Sequence, residues 1–343
     1  MNIKEALLET LAKKRTLTGK ELADRFGVSR QALNVHLKAL VEAGRVVKEG
    51  VTKGSVYRLS SSTRKEAPAP HFRRTYRLEG LQEDRVFEEA SLFMNVRKHT
   101  TRNVEDILRY AFTEMLNNAI DHSKSETCRV EFVLDPYKCS FWIRDFGIGL
   151  FHSIATRFRL PDEHDAIGEL LKGKTTTMST RHTGEGIFFA SKAADTMSFR
   201  SHAICLLFDN LKKDTFVREA PSVRGTDVTF SIGRRSRRQL EAIFAEFAPE
   251  RHDYRFEKTR VLVRMFQKDY VSRSEARRLL AGLDKFKEIE LDFSGVVSLG
   301  QGFADEVFRV FAKAHPDISI QPLNARPALD AVLRHVIDNK TDR

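Results

Sequence analysis

The chain has 343 residues, of which 41% are hydrophobic and 31% charged, a balance typical of globular proteins with two or three domains. It has no apolar stretch long enough to span a bilayer, no pattern of a secretory signal at its first residues, and three cysteines without a CxxC pair. These observations exclude a transmembrane protein, argue against a zinc site or a disulfide framework, and predict a cytoplasmic protein. The net charge of +11 favours polyanionic partners.

Residues 1–60 have the pattern of three short helices followed by a hairpin. Helices are predicted over IKEALLETLAKK, over 18–26 and over 29–43. Gly27 can adopt the positive φ of a tight interhelical turn, and Ser29 is a typical N-cap. RVVKEGVTKGSVYRL then alternates into glycine-punctuated strands. This order resembles the winged helix-turn-helix of bacterial regulators, which implies a DNA-binding domain.

Charge supports DNA as the partner of this segment. The first 62 residues hold 12 Lys and Arg against 6 Asp and Glu, a net charge of +6. In a helix-turn-helix the second helix enters the major groove, where its side chains meet base edges and phosphates. The residues expected to contact DNA are Ser29, Arg30, Gln31, Asn34, Lys38 and Lys53. Winged helices also serve as protein-docking modules, which is the alternative; for the DNA-binding interpretation we expect a homodimer.

The rest of the chain divides at changes of composition. The Ser-, Pro- and Ala-rich stretch 61–72 is predicted to be a linker. Residues 73–250 carry helical patterns followed by strands, and 254–343 alternate strand and helix signals, which predicts a small α/β domain.

Four short motifs in the 73–250 segment draw attention by their order. FTEMLNNAIDHS predicts an amphipathic helix that places Glu114 and Asn118 on one face, four residues apart. DFGIGL follows a predicted strand, and HTGEGIFFAS and RGTDVTF come later in the chain. The polar and glycine positions in these motifs include Asp121, Asp145, Gly147, Gly149, Gly184, Gly186 and Thr226.

This series resembles the nucleotide-binding domain of the GHKL superfamily, which includes gyrase, histidine kinases and anti-sigma-factor kinases. The resemblance spans about 104–232 and implies an α/β sandwich, the Bergerat fold, that binds ATP and Mg²⁺. It implies that Asp145 accepts a hydrogen bond from the adenine amino group, and that Asn118 is a ligand of Mg²⁺. Glu114 would be the catalytic acid that activates the attacking group. The other nucleotide contacts implied are Asp121, Gly147, Gly149, Gly184, Gly186 and Thr226.

The stretch LLKGKTTTMSTRHTGEG has few apolar side chains that a core could bury. It is similar to the lid that closes over ATP in this superfamily. Lys172 and Lys174 are the phosphate-contacting cations expected from it. The segment before the domain has no room for the long helical hairpin of histidine kinases, so autophosphorylation on histidine is not expected. The sequence TEMLNNAIDHS is most similar to the corresponding motif of anti-sigma-factor kinases.

The stretch IELDFSGVVSLGQGFADEVFRVF resembles the STAS-like domains that accompany anti-sigma-factor kinases. Where those domains carry a phosphorylatable serine, this chain has Gly300, Gln301 and Gly302, which have no hydroxyl group. We therefore expect a domain that docks on the ATPase or on a protein partner, without the phosphorylation switch.

Together these features predict a multidomain α+β protein: a winged helix-turn-helix, a GHKL α/β sandwich and a small STAS-like α/β domain. The function expected is an ATP-binding, ATP-hydrolysing, DNA-binding transcription regulator, in which nucleotide state controls the lid, the dimer or docking of the STAS-like domain. The alternatives are a protein serine/threonine kinase of the anti-sigma-factor type and an ATP-gated DNA clamp.

Overall fold

A computed structural model of the chain describes residues 3–13, 16–49, 55–60, 71–173, 185–249, 255–265 and 269–338. The chain forms two compact units. One contains Met1–His71 and Val133–Cys139, and the other contains Phe72–Phe132 and Ser140–Arg343.

The first unit has the element order of a winged helix-turn-helix. Its elements are α1 (Ile3–Lys13), β1 (Leu17–Thr18), α2 (Gly19–Phe26), α3 (Arg30–Glu42), β2 (Val46–Glu49) and β3 (Val56–Leu59), with the strands in the antiparallel order β1-β3-β2. Thr18 and Glu21 form a capping box at α2, and the hydroxyl of Ser29 accepts the amide of Ala32 at α3. Gly27 ends α2 with φ 62°. The predicted helices and the turn between them are confirmed.

The middle of the chain builds a five-stranded sheet with helices between its strands. Its elements are β4 (His71–Arg77), α4 (Glu83–Met94), α5 (Val96–His99), α6 (Arg102–His122), β5 (Thr127–Leu134), β6 (Lys138–Asp145), α7 (Leu150–Phe158), α8 (Glu163–Lys172), α9 (Gly186–Ala193), β7 (Thr196–Asp209), β8 (Asp214–Gly233) and α10 (Leu240–Phe247). The strand order is β4-β5-β6-β8-β7. Strand β4 starts at His71, inside the stretch predicted to be a linker, because Phe72 is buried; positions 61–70 lie outside the described residues.

Helix α6 packs on this sheet through aromatic rings. The ring of Phe112 lies 5.2 Å from that of Phe132 and 5.4 Å from that of Phe141, between centroids. Phe141 in turn stacks on Phe230 of β8 at 4.9 Å. Since one face of α6 is fixed to the sheet in this way, the opposite face presents its polar side chains away from the core.

The C-terminal residues form a small parallel α/β structure. Its elements are β9 (Lys258–Leu262), a 3₁₀ turn (Val263–Met265), β10 (Asp269–Tyr270), α11 (Arg273–Leu280), β11 (Glu288–Asp292), β12 (Ser298–Leu299), α12 (Gln301–Asp305), a π-helical stretch (Glu306–Phe311), α13 (Ala312–Ala314), β13 (Ser319–Leu323) and α14 (Pro327–Asp338). The parallel sheet has the order β13-β11-β9, and β10 pairs with β12. The predicted alternation of strands and helices is confirmed.

One hydrophobic core joins this C-terminal part to helices α9 and α10. Phe188 and Phe189 of α9 and Phe247 of α10 lie in the same buried cluster as Phe256 and Phe286. The ring of Phe188 is 4.6 Å from that of Phe256. Sequence patterns place a domain boundary between 250 and 254, whereas the hydrophobic packing continues across it.

Candidate functional site

The first part of the candidate site is a buried carboxylate at the end of β6. Asp145 is 5% exposed, and its Oδ1 atom accepts the amides of Gly147 at 2.9 Å and Thr226 at 3.2 Å. Burial raises the pKa of Asp145, while these hydrogen bonds act in the opposite direction because they favour the charged form. The residue is therefore held in one orientation at the point where strand becomes loop.

Two glycines allow the backbone to close around this carboxylate. A Cβ at Gly147 would overlap the carbonyl oxygen of Ser123, which ends α6, and the next amide, of Ile148, donates to that same oxygen at 2.8 Å. Gly225 has φ 77°, and a Cβ there would lie 2.5 Å from Asp145 Oδ1. Any side chain at either position would displace the loop or the carboxylate.

Thr226 and Gly149 complete this end of the site. The Thr226 hydroxyl accepts the amide of Leu150 at 3.0 Å, which fixes the start of α7 against β8. Gly149 precedes α7, and a Cβ there would lie 2.5 Å from the hydroxyl of Ser201. That hydroxyl is buried and has no hydrogen-bond partner in the described parts of the chain. Ser201 was not indicated by any motif; only the structure places it here.

The second part of the site lies further along α6. Glu114 is directed at the start of α9, since a Cβ at Gly186 would overlap the Glu114 carboxylate. Burial, followed by the charges of Glu114 and Glu185, raises the pKa of the Tyr110 phenol. Tyr110 and Glu185 are therefore neighbours of this carboxylate that sequence patterns did not indicate.

Helix α6 connects the two parts. Ser123 follows Glu114 by nine positions, which corresponds to roughly 13 Å along the helix axis. Asn118 and Asp121 lie between them on the same half-buried side. The structure therefore brings Asp145, Gly147 and Thr226 together at the C-terminal end of α6, with Gly149 beside the start of α7, and places Gly186 beside Glu114; Asn118 and Asp121 lie on α6 between these two groups.

The structure does not place Lys172 with this group, in contrast to the prediction. Lys172 ends α8 and is fully buried, and its ammonium group donates to Glu169 Oε1 at 2.6 Å and to the carbonyl of Ala281 at 2.8 Å. Burial lowers its pKa, and Glu169 opposes that change. The Lys172 carbonyl accepts the hydroxyl of Thr259 at 2.7 Å. Lys172 is thus a structural link to the C-terminal part, and assigning it to phosphate was wrong.

Two other positions assigned to the lid cannot be compared with the structure. Lys174 and Gly184 lie outside the described residues. Within the residues that are described, no three His, Cys, Asp or Glu side chains are arranged to hold a metal ion by themselves.

The residues expected to contact DNA lie on one side of α3. Ser29, Arg30, Gln31, Asn34 and Lys38 are all exposed, while Leu33, Leu37 and Leu40 are buried in the core of the first unit. Lys53 lies outside the described residues. An exposed polar face backed by a leucine stripe is the arrangement that a groove-binding helix requires.

Comparison with known families agrees with both ends of the chain. Residues 2–47 match a family described as winged helix-turn-helix DNA-binding, and residues 275–329 match a STAS-like domain of unknown function. The matching family models include none for a GHKL-type ATPase. No curated protein matches the chain. Among the described residues, no helix combines the length and apolar character needed to cross a membrane. The chain is therefore a multidomain α+β protein with an N-terminal winged helix-turn-helix and a C-terminal STAS-like domain.

Proposed function

We propose that this protein is a DNA-binding transcription regulator whose middle region binds ATP and Mg²⁺ in a GHKL-type site. The observation that carries the proposal is the convergence of separate motifs. Asp145, Gly147 and Thr226 come from segments about 80 residues apart in sequence, yet two backbone amides from these segments hold one buried carboxylate oxygen. The winged helix-turn-helix supplies the DNA-binding part of the function.

Asp145 is the residue that would recognise the base. A buried carboxylate accepts hydrogen bonds only, so it favours a purine that presents an amino group over one that presents a carbonyl oxygen. Gly147 and Gly149 leave room for the ligand to approach the backbone. Thr226 holds the loop in place through the amide of Leu150.

Asn118 and Glu114 would act at the phosphate end. Asn118 offers an amide oxygen, a ligand type that suits Mg²⁺, which takes few protein ligands when phosphate oxygens complete its coordination. When bound, Mg²⁺–ATP supplies a transferable phosphoryl group. The Glu114 carboxylate would accept the proton of the attacking water or hydroxyl group. The amides at the start of α9, including that of Gly186, favour a negative charge there.

The packing of the C-terminal part supports a route by which the nucleotide affects the rest of the molecule. Helix α9 begins at Gly186, beside Glu114, and carries Phe188 and Phe189 into the C-terminal core. A ligand that binds the two states of such an element differently must shift their populations. We infer that the STAS-like domain responds to the nucleotide through α9, with a protein partner on this domain as a further proposal.

The regulatory function is tested by titrating a fluorescent operator duplex with the full chain, with and without Mg²⁺–ATP. We expect the nucleotide to change the DNA affinity of the wild type about 5- to 150-fold, the usual range of allosteric coupling. At an ATP concentration near the wild-type Kd, Asp145→Asn should lose most of this change, whereas Asp106→Asn, at an exposed position of α6, should keep it. Equal DNA affinities of the wild type with and without nucleotide would contradict the regulatory proposal.

The same preparation separates hydrolysis from phosphoryl transfer to protein. With γ-labelled ATP, Glu114→Gln should abolish release of phosphate, because glutamine cannot accept the proton. Label retained on a protein partner would favour the kinase alternative instead. Sedimentation with and without DNA tests the proposed homodimer, for which two half-sites on the operator are expected.

A further inference from the structure

The exposed face of α3 carries one apolar side chain among polar ones. Val35 is 68% exposed, whereas Leu33 and Leu37 on the other side of the helix are 1% exposed. Gln31 and Lys38 lie one turn before and one turn after Val35 and are exposed on the same face.

Neither the helix nor the core accounts for a valine at this position. A β-branched residue is a weaker helix former than alanine, because it loses side-chain freedom against the preceding turn. Val35 also contributes nothing to the core cluster of this unit, whose members come from the opposite face. Val35 is therefore available to an apolar group of a partner on the exposed face of α3.

The charge around Val35 fits a polyanionic occupant. The first turn of α3 contains no acidic residue. Glu42 is the last residue of α3, and its carboxylate lies 3.9 Å from the Lys38 ammonium group. Both side chains are strongly exposed. Lys38, one turn after Val35, brings a cation to this face, and Gln31, one turn before it, brings a hydrogen-bonding amide; Arg30 and Asn34 are exposed further round the helix.

We propose that Val35 contacts the 5-methyl group of a thymine in the major groove. This inference rests on the proposed DNA-binding function and names the base that the helix face recognises. The major groove presents a methyl group only at thymine, and apolar side chains read it there. The amides of Gln31 and Asn34 match the N6 and N7 atoms of adenine. The face as a whole therefore reads a short A·T step, with Val35 specifying on which strand the thymine lies.

The test removes the methyl group from the DNA and the side chain from the protein. A duplex is first selected from a random pool with the full-length wild type, and each thymine in it is then replaced by deoxyuridine, which lacks only the 5-methyl group. We expect one replacement in each half-site to lower affinity about fourfold, which corresponds to about 0.8 kcal/mol for one buried methyl group. In Val35→Ala this replacement should have no effect on affinity. Val35→Thr keeps a branched methyl group and should still show most of the fourfold loss.

The possible outcomes separate this inference from the proposed function. Failure to select any duplex would contradict DNA binding itself. Selection of a duplex in which no deoxyuridine replacement matters, or in which it matters equally in Val35→Ala, would overturn the role of Val35 and leave DNA binding intact. Loss of a protein complex in Val35→Ala, with unchanged DNA affinity, would assign the face to protein docking and also overturn the inference.

Discussion

Replacing Lys172 by methionine removes a buried ammonium group and keeps most of the side-chain volume. Lys172 donates to Glu169 Oε1 at 2.6 Å and to the carbonyl oxygens of Ala281 at 2.8 Å and Arg278 at 3.4 Å. The two carbonyls belong to the C-terminal end of α11, where a positive charge is favourable. The substitution therefore takes the Lys172 cation away from the Glu169 carboxylate and from the C-terminal end of α11.

The expected loss follows from the burial of the two partners. Removing one partner of a buried ion pair costs about 3–5 kcal/mol. The Glu169 side chain is 15% exposed and can regain some water, so we expect a loss of about 3 kcal/mol for Lys172→Met. Adding Glu169→Leu removes the carboxylate that has lost its Lys172 partner and should restore at least about 1 kcal/mol.

Hydrogen exchange of the α11 amides measures this loss without requiring the whole chain to unfold in one step. The matched control is Arg334→Met, which breaks an ion pair of 2.8 Å to Asp330 whose arginine side chain is 73% exposed. An exposed pair of this kind contributes about 0–1 kcal/mol. If Lys172→Met destabilised α11 no more than the control does, Lys172 would not be the link between α8 and the C-terminal part.

Two further predictions concern the carboxylate loop and helix α9. Gly225→Ala should lower the free energy of unfolding by at least about 2 kcal/mol, because the added Cβ is strained at φ 77° and meets Asp145. Gly80→Ala, at φ 68° with open space around it, should show the strain alone, a loss of about 1–2 kcal/mol. Urea unfolding compares the two, and equal losses would contradict the close approach. Burial lowers the pKa of Lys192 from 10.5 to about 8, so the unfolded chain binds more protons between these values and stability should rise with pH in that window. Thermal unfolding followed from about pH 7.5 to 10.5 measures this rise in stability, and Lys192→Met should flatten it. An unchanged slope in Lys192→Met would contradict the lowered pKa of Lys192.

Features that depend on nearby residues could be predicted from the sequence. The caps of α2 and α3 are local, because Thr18 and Ser29 bond amides three residues away. The amphipathic pattern of α6 likewise places Phe112 on the sheet and Glu114 away from it, since 3.6 residues make a turn.

Contacts between distant residues that no motif connects could not be predicted. Lys172 follows two leucines in a stretch of Lys, Thr and Gly, and reads as a solvent-exposed cation. Its partner at Ala281 lies 109 residues further along the chain, and no local pattern indicates that contact. Ser201 and Gly149 are also distant in the sequence, and the Ser201 hydroxyl lies beside Gly149 only because β7 folds against the start of α7.

Asp145 is proposed to make the purine site selective for adenine, and calorimetric titration with Mg²⁺–ATP measures this selectivity. We predict micromolar binding to the wild type, about −8 kcal/mol, and a loss of about 1.5–3 kcal/mol in Asp145→Asn, the contribution of a hydrogen bond to a charged group. Mg²⁺–GTP should bind weakly to the wild type, because guanine presents the O6 acceptor to the carboxylate where adenine presents an amino group. Absence of ATP binding to the wild type, or equal binding to Asp145→Asn, would contradict recognition of adenine by Asp145.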